Sequence, residues 1–175
     1  MDWAYVSDSL TNLSLRQWGL NSERIVEFLL QLGTFPDLAY LTHFESFLNP
    51  KVVHDWLTNP NNYVRVISVD SEFVGLLAAH PPISVGVPED FLETSTYIVD
   101  EWRNRGVGVK AWELAERELA TMCPGLAGVT WSDNTASIRR LKRSGYQFLT
   151  DVWYDSRLED GHSGWCQVWV KSLQH

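Results

Sequence analysis

The stretch that determines the fold covers residues 99–108 and reads Val99-Asp100-Glu101-Trp102-Arg103-Asn104-Arg105-Gly106-Val107-Gly108. A β-type run precedes it, and an amphipathic helical pattern over 107–122 follows. The first N–H groups of a helix lack partners within it and lie at the positive end of its dipole, so they attract anions. Glycines let a phosphate approach the backbone closely, and Arg103 and Arg105 add charge-assisted hydrogen bonds. The stretch therefore predicts a phosphate-binding turn, or else a plain strand-to-helix turn with exposed arginines.

The turn matches neither of two common phosphate-binding motifs. A P-loop, GxxxxGK[ST], is absent, and the dinucleotide fingerprint GxGxxG is represented only by the pair Gly106-x-Gly108. The turn by itself therefore does not identify the ligand that carries the phosphate.

The remaining pattern predicts a single α+β domain. Residues 1–61 read as mostly helical, and from residue 62 the chain alternates between strands and helices. Helices are predicted over 22–33, 37–48, 52–57, 107–122 and 135–143, and strands over 4–7, 63–69, 73–80, 94–99, 126–131, 146–154 and 164–171. No repeat or linker interrupts the chain, so one domain over residues 1–175 is expected.

The composition is that of a globular protein with an acidic balance. The 175 residues are 45% hydrophobic, and 22 acidic side chains against 14 basic ones give a net charge of −8. That balance disfavours nucleic acid and anionic membrane as partners, and no apolar run approaches the ~20 residues of a membrane span. An N-terminus without a signal-like pattern and only two cysteines indicate the cytoplasm. The scattered histidines lack metal-ligand spacing, so no metal is expected.

A second set of motifs follows the turn at a regular spacing. The order Arg103-x-x-Gly106-x-Gly108, helix, strand, Asn134-x-x-Ser137 and Gly145-Tyr146 resembles the GCN5-related N-acetyltransferase (GNAT) family. The resemblance covers about residues 62–171, which would form the cofactor-binding core, while 1–61 would lie on the acceptor side. It implies a mixed, mostly antiparallel sheet of six or seven strands, flanked by helices and splayed between the fourth and fifth strands.

The resemblance also implies how acetyl-coenzyme A would be held as co-substrate. The backbone of the turn, through Arg103, Asn104, Arg105, Gly106, Val107 and Gly108, would hold its pyrophosphate. The backbone of Tyr97, Ile98 and Val99 would pair with the pantetheine arm. Asn134 and Ser137 would bind the cofactor, although Asn134 could equally be a simple helix N-cap. The basic cluster at 139–143 would contact the 3′-phosphate or form a solvated helix face.

The expected reaction is attack of a neutral amine on the thioester. The resemblance suggests Glu93 as the base, a surface carboxylate being the alternative, and a backbone N–H of Tyr97 or Val99 as the oxyanion donor. Many members place a proton-donating tyrosine seven residues after the motif asparagine, where this chain has Leu141. Ser137 or Tyr146 could serve instead, or the thiolate could leave unassisted.

The function expected from this resemblance is acetyl transfer to a primary amine of a small molecule or a protein, by a monomer or a homodimer. Two alternatives remain open: an inactive acyl-CoA-binding sensor, and an acyltransferase that uses another acyl chain or a hydroxyl acceptor. The acceptor groove would be built by the first helices and by the loop around 155–163.

Overall fold

The computed structural model describes residues 10, 12–17, 26–27, 50–154 and 163–174. The strand predicted over 4–7 and the helix predicted over 37–48 lie outside the described residues. The same is true of nearly all of the helix predicted over 22–33 and of the loop at 155–162, so the predicted acceptor groove is not described.

The described chain forms one seven-stranded sheet with helices packed on it, which confirms the predicted α+β class. The strands follow the order β1-β2-β3-β4-β5-β7-β6 across the sheet. Their bounds are β1 Leu13–Gln17, β2 Tyr63–Val69, β3 Glu72–His80, β4 Leu92–Ile98, β5 Gly125–Trp131, β6 Gln147–Tyr154 and β7 Gly164–Ser172. The described helices are α1 Pro50–Thr58, α2 Val107–Leu119 and α3 Thr135–Arg143, and Asp100–Trp102 form a 3-10 turn.

The edge strand β1 was not expected at its observed position. It pairs antiparallel with β2, with Leu13 opposite Val69. Its sequence alternates Leu13 and Leu15 with polar residues, which is the pattern of a strand with one buried face. That short alternation is the sequence signal from which this strand could have been predicted.

Strands β4 and β5 pair in parallel and then separate. Their ladder contains only Leu92 opposite Leu126 and Glu93 opposite Ala127, whereas β3 and β4 pair along six positions. The Thr94 hydroxyl closes the short ladder by donating to the Ala127 carbonyl at 2.9 Å. The predicted splay between the fourth and fifth strands is therefore confirmed, and Thr94 marks its base.

Helix α2 packs its apolar face on the sheet beside the splay. The buried positions are Val107, Ala111, Trp112, Ala115 and Leu119. The indole N–H of Trp112 donates to the Thr96 hydroxyl at 2.6 Å, which ties the helix to β4. The helix ends earlier than predicted, and Met122, expected on the buried face, is 62% exposed.

Helix α3 packs on β5 on the other side of the splay. Leu141 is fully buried against Gly128, where an added Cβ would lie 2.5 Å from Leu141 Cδ2. Because α2 lies against β4 and α3 against β5, the splay opens into the space between the two helices.

Candidate active site

The turn before α2 is shaped by its own arginines. Arg103 donates from Nε to the Ile98 carbonyl at 3.0 Å and forms an ion pair with Asp100 at 2.8 Å. The Arg105 guanidinium lies over the Trp102 ring, 5.2 Å from its centroid. Both side chains therefore have contacts within the turn.

The N-terminus of α2 is open to a ligand. Gly106 caps it in the left-handed region at φ 81, where a side chain would be strained, and no side chain caps the first turn. The first turn carries no acidic residue. At Gly108 an added Cβ would meet only Thr96 Cγ2 at 3.7 Å and Arg140 Cδ at 3.9 Å. Gly108 therefore lies against β4 and α3, in contact distance of Thr96 and Arg140.

The backbone groups of β4 alternate between β3 and the splay. The Val99 N–H donates to the Val74 carbonyl at 3.0 Å, so it is directed towards β3. In an antiparallel pair every second residue shares that direction, so the Tyr97 amide also faces β3. The amides of Thr96 and Ile98 face the splay instead. This hydrogen bond directs the Val99 N–H away from the splay, and the role of Tyr97 or Val99 as the oxyanion donor stays a prediction.

Asn134 is the N-cap of α3. Its side-chain oxygen accepts from the Ser137 N–H at 3.0 Å, which is the simpler of the two roles considered for it. Ser137 lies half-buried in the first turn of the helix. Their binding to a cofactor stays a prediction.

Glu93 is buried and holds the loop before β4. Its carboxylate accepts from the backbone N–H groups of Ile83 and Ser84 at 3.1 and 3.0 Å, and from the Ser84 hydroxyl at 2.7 Å. It is 5% exposed, so it is not the surface carboxylate considered as an alternative. The structure gives Glu93 an anchoring role next to the base of the splay, and its role as a base stays a prediction.

A polar cluster is buried between α2, α3 and β7, and we call its members Glu116, Arg140, Tyr146 and Lys171 the interhelical cluster. Lys171 donates to Glu116 Oε2 at 2.6 Å and to the Ser144 carbonyl at 2.7 Å. Arg140 Nη1 and the Tyr146 hydroxyl are buried without a hydrogen-bond partner among the described residues. The inward direction of Arg140 could not be predicted from the sequence, because the residue lies within a run of basic residues.

Burial controls the ionisation of this cluster. It raises the pKa of Tyr146 well above its ordinary value, and the nearby Arg140 opposes that rise only in part, so the phenol stays protonated. Burial also lowers the pKa of Arg140, against the opposing effects of Tyr146 and Glu116. Tyr146 lies beside Thr94 at the base of the splay.

The described residues hold no group of three or more side chains suited to a metal ion. Within the same part of the chain, no helix is long and apolar enough to cross a membrane.

Solved acetyltransferase structures share this fold. YncA from Salmonella typhimurium, solved with its cofactor acetyl-CoA, gives a TM-score of 0.75 at 15% identity over 94% of this chain and 95% of that chain. Spermidine N-acetyltransferase from Vibrio cholerae, solved with CoA and spermine, gives 0.72 at 11% identity over 93% and 96%. RimL, the ribosomal L7/L12 α-N-protein acetyltransferase, solved with coenzyme A, gives 0.72 at 13% identity over 94% and 96%.

The sequence itself establishes the family. The model of the acetyltransferase (GNAT) family matches residues 29–146, which is more than half of the chain. The protein therefore belongs to the GNAT family and is an acyltransferase. None of the curated protein sequences gives a significant match.

Proposed function

We propose that this protein transfers the acetyl group of acetyl-CoA to a primary amine of a small molecule or a protein, in the cytoplasm. The observation that carries the proposal is the continuity between two features: the open N-terminus of α2 and the splay between β4 and β5. The first suits a diphosphate, and the second exposes backbone groups that an extended arm can pair with. The ligand that needs both features is a nucleotide diphosphate joined to a long amide-bearing arm.

The residues present fit such a ligand. The amides at the start of α2, from Gly106 to Gly108, would hold the diphosphate, with Arg105 close to it. The backbone groups of Thr96 and Ile98 that face the splay would pair with the pantetheine amides. When bound, acetyl-CoA supplies an acyl group activated as a thioester. The narrow end of the splay at Thr94 sets the depth to which the arm can reach.

The chemistry requires a neutral amine and a place for negative charge on the carbonyl oxygen. A backbone amide of β4 that faces the splay would stabilise that oxygen. Glu93 lies at the base of the splay and is the proposed base, receiving the ammonium proton through water. Its three hydrogen bonds fix the position of the carboxylate. Ser137 and Tyr146 are the proposed proton donors to sulfur, and departure of the sulfur as an unprotonated thiolate is the alternative.

The acceptor is proposed to be cationic before it reacts. The net charge of −8, with basic residues concentrated between Arg103 and Arg143, leaves the rest of the surface acidic and attractive to ammonium groups. Spermidine N-acetyltransferase and RimL, which share the fold, act on a polyamine and on a protein α-amine, respectively. Both classes are therefore candidates for this chain.

A homodimer is favoured over a monomer by the edge strand β6. Trp153 of that strand stacks edge-to-face on Trp165, their ring centroids lying 5.5 Å apart. Both indoles are more than half exposed, as apolar groups at a subunit interface often are in the separated subunit. Sedimentation equilibrium of the wild type and of Trp153→Ser would show whether this edge pairs with a second copy.

Titration with acetyl-CoA tests the proposed function before any acceptor is known. Isothermal titration should show one binding site per chain, and the ligand should raise the midpoint of thermal unfolding. Adding free 3′,5′-ADP, which lacks the arm, should stabilise the protein less than CoA does. If saturating acetyl-CoA neither releases heat nor raises the midpoint, the proposed function is wrong.

A further inference from the structure

Arg140 is turned towards the interior of a helix whose other basic residues are exposed. Arg139, Lys142 and Arg143 lie on the solvent face of α3, whereas Arg140 Nη1 has no exposed surface and no partner among the described residues. Burying a guanidinium without a complete set of hydrogen bonds is costly. The position is therefore expected to serve something besides packing.

The interhelical cluster carries an excess of positive charge. Arg140 and Lys171 are cations, Glu116 is the only carboxylate among the four residues, and Tyr146 is held neutral by burial. Lys171 already occupies Glu116 Oε2 at 2.6 Å, and both side chains of that pair are largely buried. Glu116 Oε1 is also buried without a hydrogen-bond partner among the described residues, and Glu116 acts electrostatically on Arg140. This one carboxylate stands against two cations, so an anion would be stabilised next to the cluster.

The location of Arg140 connects it to the splay. Its Cδ lies 3.9 Å from the place where a Cβ at Gly108 would stand, so the side chain runs beside the first turn of α2. Its guanidinium lies near the Tyr146 hydroxyl, and Tyr146 lies beside Thr94 at the base of the splay. The Arg140 side chain therefore lies between the first turn of α2 and Tyr146, with its Nη1 buried.

We propose that Arg140 stabilises the negative charge that forms on the sulfur of the acyl donor when the acyl group leaves. The inference rests on the proposed function, because it takes the donor arm to enter beside α2 and to end near Thr94. In the reaction, the amine nitrogen bonds to the thioester carbonyl carbon and the carbon–sulfur bond breaks with its electron pair on sulfur. The amine proton passes to the base, and the thiolate takes its proton from water on release.

An arginine is better suited to stabilising a negative charge on sulfur than a side chain that donates its proton. A guanidinium keeps its proton throughout, so it acts as a fixed positive charge and leaves the sulfur as a thiolate. It also explains how the sulfur could leave without a proton-donating tyrosine. At the position where many members of the family have that tyrosine, this chain has the fully buried Leu141. Arg140, one residue earlier, lies about 100° around the helix from Leu141 and runs beside the first turn of α2.

The test compares CoA with desulfo-CoA, which lacks the sulfur, as the pH is raised. An opposite charge nearby lowers an acid's pKa by about 1–3 units, so the bound thiol should ionise below the ~8.5 of a free thiol. Wild-type protein should therefore prefer CoA over desulfo-CoA by a factor that grows about six- to twenty-fold between roughly pH 7 and 9. Binding is measured by titration calorimetry, with no acceptor and no turnover.

Variants assign the effect to Arg140. Arg140→Met should remove the growth in preference, Arg140→Lys should retain part of it, and Arg139→Met, on the exposed face of the same helix, should leave it unchanged. If wild-type protein binds CoA with no thiol-dependent preference at high pH, the inference is overturned whether or not the variants fold. Equal preference in Arg140→Met and wild type overturns it as well. If CoA does not bind to the wild type at all, it is the proposed function that fails.

Discussion

The Thr94 hydroxyl on β4 donates to the Ala127 carbonyl on β5 at 2.9 Å, at the point where the two strands stop pairing. The bond is buried, and Thr94 is only 8% exposed. Beyond it, β4 has no further pairing with β5, while it stays paired with β3 up to Ile98. This contact therefore marks where the splay begins.

Replacing Thr94 by valine should loosen the base of the splay while preserving its shape. The Ala127 carbonyl would lose its partner, so the free energy of unfolding should fall by about 1–2 kcal/mol in urea titrations. Thr121→Val is the matched control, because the Thr121 hydroxyl donates to the Glu118 carbonyl on the exposed surface. A loss in Thr94→Val no larger than that in the control would mean that the contact does not stabilise the splay.

The two glycines at the start of α2 should respond differently to alanine. Gly106 has φ 81, so Gly106→Ala should destabilise the fold by about 1–2 kcal/mol. Gly108 has ordinary space for a Cβ, so Gly108→Ala should retain full stability. That Cβ would nevertheless stand between Thr96 and Arg140, and the affinity for acetyl-CoA should fall at least about tenfold. A Gly108→Ala protein with unchanged affinity would move the ligand away from this turn.

Packing between α3 and β5 should be sensitive at Gly128. An alanine there would place its Cβ 2.5 Å from Leu141 Cδ2 in a site with no free volume, and the cost should be about 1–3 kcal/mol. Introducing the same change into a Leu141→Ala background should cost much less, since the clashing methyl group is gone. Additive losses in this double-mutant cycle would contradict the close contact.

Glu93 combines an anchoring role with a proposed catalytic one, and two variants separate them. Glu93→Ala removes the acceptor for Ile83, Ser84 and the Ser84 hydroxyl, so stability should fall by about 2–4 kcal/mol. Glu93→Gln keeps an acceptor in place and should cost less, yet it cannot take a proton. The rate of acetyl transfer should then drop about 100-fold or more, while the exposed Glu89→Gln is unaffected. Near-normal turnover in Glu93→Gln would remove Glu93 as the base.

Stability should fall at alkaline pH because of Cys166. Burial, with a smaller effect of Asp133, raises the pKa of this thiol to about 11 from an ordinary value of 9.0. The folded protein therefore holds the proton more tightly than the unfolded chain. This contribution is present in full below pH 9 and is lost as the pH rises towards 11, by about 1.4 kcal/mol per unit. The Cys166→Ala protein should show a flatter stability profile between those values, and identical slopes would contradict the assignment.

Most of the fold over residues 62–171 could be predicted from the sequence, because the hydrophobic periodicity there matches the helices and strands that form. Strands β2 to β7 and helices α2 and α3 lie within a few residues of their predicted bounds. The turn before α2 could be predicted, because glycines allow a tight turn and the start of a helix leaves free N–H groups. Strand β1 is different: it is a five-residue edge strand in a region dominated by helical patterns.

The details of the site depend on tertiary contacts that periodicity does not encode. Which amides of β4 face the splay is decided by the pairing of Val99 with Val74, a matter of register. The inward direction of Arg140 depends on how α3 sits over β5, with Leu141 against Gly128. Four basic side chains close together on one helix usually indicate a solvated face. Here Arg139, Lys142 and Arg143 are exposed, whereas Arg140 is not.

The measurement that tests acetyl transfer most directly is release of CoA thiol from acetyl-CoA by the wild-type protein across a panel of amines, with mass analysis of the products. The panel should include polyamines, amino acids and peptides with a free α-amine or lysine. We predict amine-dependent thiol release, slower release by Gly108→Ala at limiting acetyl-CoA, and one added acetyl group on the accepting amine. Tight binding of acetyl-CoA with no thiol release for any amine would contradict acetyl transfer to a primary amine.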